Sequence, residues 1–121
     1  MSAVLNEEAK PTQLPKPAGW RILCAVPDLD EKFEGSDLYR PDTVTDQERF
    51  ATVVLFVVAM GKDCYSDQKK YPYGPWCKEG DFIIVRQYSG TRMRIHDKEF
   101  RIIYEDQVEA TVDDPRGITR V

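Results

Sequence analysis

The sequence predicts an all-β domain, a small barrel of five to seven short strands. Three observations carry that prediction. Short apolar runs rich in β-branched and aromatic residues recur at close spacing from Arg21 to Val112, and turn-forming residues close each run. Where the runs are not continuous they alternate with a period of two, as in Thr91-Arg92-Met93-Arg94-Ile95-His96. No segment offers a convincing helix. With 121 residues, 41% of them hydrophobic and 31% charged, the chain fits one soluble domain with a small core.

Residues 1–16 are polar, carry Pro11 and Pro15, and read as an extended N-terminal arm. Pro17-Ala18-Gly19-Trp20 leads into a first strand, Arg21 to Val26. A second, Ala51 to Met60, is a continuous apolar run closed by Gly61 and reads as a strand buried on both faces. Thr45-Asp46-Gln47-Glu48 also fits a capping box, so a helix from there to Met60 stays open as the alternative. Gly61 to Gly74 is polar and turn-rich, bears Tyr65, Tyr71 and Tyr73 with Trp76 just beyond, and reads as a long hairpin with a projecting tip. Lys78-Glu79-Gly80-Asp81 turns the chain into Phe82-Ile83-Ile84-Val85, and Tyr88-Ser89-Gly90 turns it again. Met93 and Ile95 are expected to face inward, with Arg92, Arg94 and His96 outward. Asp97-Lys98-Glu99 reads as a hairpin connection, Phe100 to Tyr104 as the return strand, and Val108 to Val112 as a last strand before Asp113-Asp114-Pro115.

The interval Pro27 to Phe50 is organised differently. It has no sustained hydrophobic period, and a long structureless insertion in a compact domain is characteristically functional or disordered. From Pro27 to Glu48 it holds eight carboxylates (28, 30, 31, 34, 37, 42, 46 and 48) against Lys32 and Arg40, a local charge of −6 where the whole chain has −4. In its middle Leu38 and Tyr39 stand between Gly35 and Pro41. That is the composition of a mobile arm with an adhesive tip.

The acidic balance argues against general nucleic-acid or anionic-membrane binding. The run Ala51 to Met60 is about half the length of a membrane span, and the first residues have neither a basic n-region nor an apolar run. Cys24, Cys64 and Cys77 include no CxxC pair and read as reduced thiols of a cytoplasmic protein, Cys24 in a core strand and the others in loops. A zinc site would have to gather Cys64, Cys77 and His96 across long loops, and none is expected. No nucleophile–base pair, phosphate loop or carboxylate dyad is legible, so no catalytic site is assigned.

Several short segments in one order resemble GroES-type co-chaperonins. They are Pro17-x-Gly19-x-Arg21-Ile22-Leu23, Gly35 to Thr43, Ala51-Thr52-Val53-Val54 leading to Val58-Ala59-Met60-Gly61, and Cys77-Lys78-Glu79-Gly80-Asp81-Phe82-Ile83-Ile84. Tyr88-Ser89-Gly90-Thr91, Asp97 to Phe100 and Tyr104 to Ala110 follow. The likeness covers roughly residues 17–113, leaving a tail at 114–121. It implies a GroES-like irregular β-barrel whose protomers form a ring, expected to be a heptamer. The ring would cap a GroEL-type chaperonin in an ATP-dependent way and enclose a non-native client. ATP would be bound by the partner, with no cofactor of this chain's own. The resemblance makes residues 27–50 the mobile loop, with Leu38, Tyr39 and Arg40 as the chaperonin-binding triplet. It makes 61–76 the roof hairpin, bearing Tyr65, Tyr71, Tyr73 and Trp76. The first strand and the last, near Val108–Val112, would be the edges that pair between protomers.

Two departures stand out. Ser36-Asp37 replaces the family's glycine pair, and Arg40 replaces its third aliphatic contact, offering only a long apolar stem under a cation. With the long aromatic roof, these point to a divergent member, such as a bacteriophage-encoded one acting in a host cytoplasm. The zinc alcohol dehydrogenases, which also contain a GroES-like domain, do not fit, because their Gly-His-Glu motif and cysteine cluster are missing here. Bland readings remain beside the sharp ones: Leu38 and Tyr39 folded back on the barrel, the four roof aromatics as cross-strand packing, and His96 as a surface residue. From another class, an OB- or SH3-like binding module would use Tyr88, Arg92, Arg94 and Arg101 as a stacking and basic face for nucleic acid.

Overall fold

The computed structural model describes residues 14–27, 53–118 and 121. Six strands make one antiparallel sheet: β1 (Arg21–Ala25), β2 (Val54–Met60), β3 (Phe82–Ile84), β4 (Thr91–Ile95), β5 (Lys98–Tyr104) and β6 (Ala110–Val112). Their spatial order is β4-β5-β1-β2-β3-β6. A single 3-10 turn, Glu105–Gln107, stands between β5 and β6. The all-β barrel fold expected from the sequence is the fold observed. Residues 54–60 are strand, which removes the helical alternative for that run.

The apolar runs became the strands that lie deepest. On β1 and β2, Ile22, Leu23, Cys24, Val54, Leu55 and Val57 have no solvent exposure. Ile22, Cys24, Leu55, Val57, Ile83 and Ile103 share one core with Val85 and Val108, and the segment 64–77 covers it with Tyr65, Tyr71 and Cys77. Burying each large aliphatic side chain contributes about 1.5–3 kcal/mol, so these few residues dominate the stability of a chain this small. The β1–β2 ladder is not regular: Leu23 faces Ala59 but Cys24 faces Val57, which leaves Val58 as the extra residue of a bulge.

In the β4–β5 hairpin Ile95 faces Lys98, so the turn is the two residues His96 and Asp97. Both have positive φ, 50° and 69°. That is the backbone of a type I′ turn, whose twist matches the flanking strands. The connection is therefore shorter than Asp97-Lys98-Glu99, and Lys98 and Glu99 belong to β5. Met93 and Ile95 are half-buried, while Arg92, Arg94 and His96 are exposed, as their alternation predicted.

Three expectations need correction. Residues 61–76 contain no strand, and a succession of turns replaces the predicted hairpin. Val108–Val112 is a strand only from Ala110. The first strand is not an edge: β1 is hydrogen-bonded to β2 on one side and β5 on the other, and the outer strands of the sheet are β4 and β6. The N-terminal arm up to residue 13 and the triplet Leu38, Tyr39 and Arg40, with its flanking Gly35 and Pro41, lie outside the described residues.

Candidate functional site

Because β1 and β2 are antiparallel, their ladder has two distinct ends. Ala25 faces Phe56 at one end and Ile22 faces Met60 at the other. The chain therefore leaves for residues 28–52 and returns from them at one end, between Pro27 and Val53. It enters the 61–77 segment at the opposite end. At about 3.3 Å per residue, the seven residues of β2 separate the two by roughly 20 Å.

At the second end, backbone contacts set the start of the segment. The amide of Gly61 donates to the Arg21 carbonyl at 2.9 Å, and the amide of Asp63 donates to the Gly19 carbonyl at 3.0 Å. A Cβ on Gly61 would overlap the Gly19 carbonyl, so only glycine lets the two chains approach this closely. Asp67 then organises the next turn. Its Oδ1 accepts from the amides of Lys69 and Lys70 at 3.0 and 3.3 Å, and its carbonyl accepts from Lys70 and Tyr71.

The segment is fastened to the barrel by Glu105, a carboxylate that is 7% exposed. Its Oε1 accepts the Tyr65 amide at 2.6 Å, while its own carbonyl accepts the Tyr65 hydroxyl at 2.7 Å. The Glu105 amide in turn donates to the Trp20 carbonyl at 3.0 Å. Tyr65 sits at φ 60°, a left-handed backbone that costs a bulky residue energy and that these two bonds hold in place. Its hydroxyl also lies 3.7 Å from the Cys77 thiol. Burial raises the Tyr65 and Tyr71 phenols above the ordinary tyrosine range, so both stay neutral.

Three of the four predicted roof aromatics form one cluster. Tyr71 meets Tyr65 edge-on at 4.8 Å between ring centroids and 87°, and meets Trp76 at 4.9 Å and 84°. Edge-to-face pairs of this kind contribute about 0.5–1.5 kcal/mol beyond their buried area. Tyr65 and Tyr71 are buried, Trp76 is 45% exposed, and Tyr73 is fully exposed. The ring packing anticipated for this set is present, but it runs between turns rather than across strands. Lys70 reaches back to Asp106 at 3.3 Å and lies over the Tyr71 ring.

The rival basic face does not assemble. Arg101 is completely buried, opposite Cys24 in the β1–β5 register, and one guanidinium nitrogen donates to the Gln87 carbonyl at 3.2 Å. Burial first, and the neighbouring Arg92 second, pull its pKa below the usual arginine range. Arg92 itself binds Glu99 at 2.6 Å. Tyr88, Arg92 and Arg94 are exposed, but Arg101 lies in the core and cannot join them in one face. Cys24, Cys64 and Cys77 are free thiols, with the first and last buried. Burial pushes Cys24 up to about 12 and Cys64 up to about 11, which makes both poor nucleophiles at neutral pH. Among the described residues no cluster of three or more His, Cys, Asp or Glu is placed to hold a metal, and no helix is long and apolar enough to cross a membrane.

The family model of the chaperonin 10 kDa subunit matches residues 16–112, from just before the Gly19 turn to the end of β6. The chain belongs to this family. It is 32% identical over 99 residues to a co-chaperonin GroES of Caldicellulosiruptor saccharolyticus, covering 82% of this chain and 97% of that protein. It is 30% identical over 98 residues to the co-chaperonin GroES of Methylacidiphilum infernorum, covering 81% and 93%. Against that of Geobacillus kaustophilus it is 31% identical over 97 residues, covering 80% and 98%. As a chaperonin 10 family member the protein is a co-chaperonin, the ATP-dependent lid of a GroEL-type chaperonin, in a family of folding assistants rather than enzymes. Two functionally placed residues were not anticipated from the sequence. Glu105 enters the sequence reading only within the Tyr104–Ala110 segment, with no role of its own, and Gly61 reads as a simple strand terminator until its contact with Gly19 is seen.

Proposed function

We propose that the lid closes through Leu38, Tyr39 and Arg40, which dock in an apical groove of the chaperonin, with Gly35 and Pro41 shaping the turn around them. What supports this reading is the antiparallel β1–β2 ladder: it sends the 28–52 segment off one end of the barrel and the aromatic 61–77 segment off the other. A lid subunit needs that polarity, one end for its partner and one for the roof. Tyr65, Tyr71 and Trp76 brace the roof, and Tyr73 is its exposed tip.

Burying Leu38 and Tyr39 contributes about 1.5–3 kcal/mol each. Ordering backbone costs about 1–2 kcal/mol per residue fixed, so a single loop binds weakly. A heptameric ring engages its loops together and gains avidity without new contacts. Weak contacts engaged in number suit a lid that is released every cycle. ATP acts through the partner by changing which state of the groove is populated, and this chain carries no catalytic activity or cofactor of its own. The eight carboxylates around the triplet keep it solvated when free. The Ser36-Asp37 and Arg40 departures support a divergent member, virus-encoded or otherwise, that works on a client enclosed in the cage, in a host cytoplasm if it is virus-encoded.

The test is co-elution with a GroEL-type chaperonin on a sizing column, with and without ATP. Nucleotide-dependent co-elution of the wild-type ring is expected, lost in Leu38→Asp and Tyr39→Asp while ring mass and circular dichroism stay unchanged. Retained capping in both variants removes the proposed anchor.

A further inference from the structure

The family match ends at residue 112, yet the chain folds on past it. β6 runs from Ala110, opposite Ile84, to Val112, opposite Phe82, so it ends away from the start of β2. The chain then reverses. The Ile118 amide donates to the Pro115 carbonyl at 3.2 Å, and Gly117 between them has φ 89°. Glycine at that position is what a type II turn demands. Asp114 and Arg116 brace the turn with a close ion pair at 2.6 Å, and Pro115 is buried.

The reversal carries Ile118 back onto a second apolar cluster, separate from the main core. Its centre is Val54, with no solvent exposure, and Val53, Phe82, Ile84 and Ile118 pack around it. Val53 and Val54 are where the chain returns from residues 28–52. Val53 is also held by its carbonyl, which accepts the Val85 amide at 2.9 Å. The outer face at the root of the proposed binding loop is thus covered by a segment that the family pattern does not include.

We infer that residues 113–118 are a clasp, with Ile118 a positioning residue that pins the return end of the chaperonin-binding loop and thereby sets how tightly the lid holds its partner. The inference rests on the loop reading given above. Its effect follows from chain statistics. Without the clasp the first residues of β2 fray, and a 25-residue interval (28–52) lengthens by about four. Closure probability falls as about the 3/2 power of length, which gives roughly a 1.25-fold loss per loop. Seven loops engaged together compound that to about fivefold.

The experiment compares wild type, Ile118→Asp, Ile118→Leu and a chain ending at Asp113. It reads ring mass, amide exchange in residues 53–57 and 82–86 against 98–104, and the ATP-dependent Kd for a GroEL-type chaperonin. The expected result is an intact ring, faster exchange confined to 53–57 and 82–86, and a Kd about fivefold weaker in Ile118→Asp and in the truncation, with Ile118→Leu close to wild type. Unchanged exchange in Ile118→Asp overturns the clasp. Faster exchange at unchanged Kd overturns its role in binding, and a ring that falls apart assigns this face to a protomer contact instead. Failure of the loop reading is seen separately, as full capping by Leu38→Asp in the same assay.

Discussion

Glu105→Ala is the substitution that tests how the 61–77 segment is held. The lost groups are specific: the Tyr65 amide has its carboxylate acceptor at 2.6 Å in a buried setting, and the substitution leaves that N–H without it. A hydrogen bond to a charged acceptor contributes about 1.5–3 kcal/mol, and the strained left-handed backbone at Tyr65 loses one of its two restraints. The expected loss is about 2–4 kcal/mol, or about 8–16 °C in Tm for a chain of this length. Glu105→Gln keeps an acceptor at the same place and should lose about 1 kcal/mol or less. The assay is urea and thermal unfolding at one fixed protomer concentration, because ring assembly makes the apparent stability concentration-dependent. Near-UV circular dichroism reports the Tyr65–Tyr71–Trp76 cluster, and far-UV reports the sheet. The near-UV signal of Glu105→Ala should melt first. A loss under about 0.5 kcal/mol, or equal losses in the alanine and glutamine variants, would refute the view that this carboxylate fastens the segment.

Gly61→Ala should lose about 1–3 kcal/mol, since its new Cβ meets the Gly19 carbonyl and forces the backbones apart; the urea midpoint measures it. Tyr65→Phe removes the bond to the Glu105 carbonyl and the contact with Cys77, for about 1 kcal/mol in the same assay. The buried thiols predict a pH dependence. Cys24 and Cys64 are raised to about 12 and about 11 from an ordinary 9.0, so the folded state holds their protons more tightly than the unfolded one. Their contribution to stability is complete below pH 9 and is lost as pH rises toward 11–12, so the urea midpoint should decline across that window and less steeply in Cys24→Ala. At pH 8 a thiol-reactive dye should label native Cys64 about a hundredfold more slowly than an ordinary thiol, since its thiolate fraction falls by that factor.

The strands were legible because their signals were local. Val54 to Met60 is a continuous apolar run and became the strand flanked by β1 and β3, and Thr91 to Ile95 alternates and became an outer strand with one face toward solvent. The 61–76 segment was misread for an equally physical reason. Its aromatic residues fall at 65, 71, 73 and 76, a spacing with no sustained strand period, and of them Tyr65 and Tyr71 join a core that distant β-strands supply. Arg101 was misplaced because its charge was weighted over its parity. It shares a face with Ile103, two residues on, and Ile103 faces Ile22 in the core. That parity was available in the sequence, since alternate residues of a strand share a face. The His96-Asp97 turn had no Asn-Gly or Asp-Gly signal, because the hairpin register imposes positive φ on residues that tolerate it rather than favour it.

The same distinction explains where a lid subunit is rigid. The middle of the β1–β2 pair is fully buried: Ile22, Leu23, Cys24, Leu55 and Val57 have no exposure. The two working segments leave from its opposite ends, and each is tied at its root by a polar or backbone device, Gly61 with Gly19 and Glu105 with Tyr65 on the roof side. On the other side Val53 and Val54 are held by the Val85 amide and by Ile118. A stiff ladder with separately fastened ends would let the proposed binding sequence around Ser36-Asp37 and Arg40 vary without disturbing the packing that makes the barrel. Substitutions in 28–52 should therefore change partner affinity at constant barrel stability, and substitutions at the two roots should loosen the end of the barrel they fasten while the ring stays assembled.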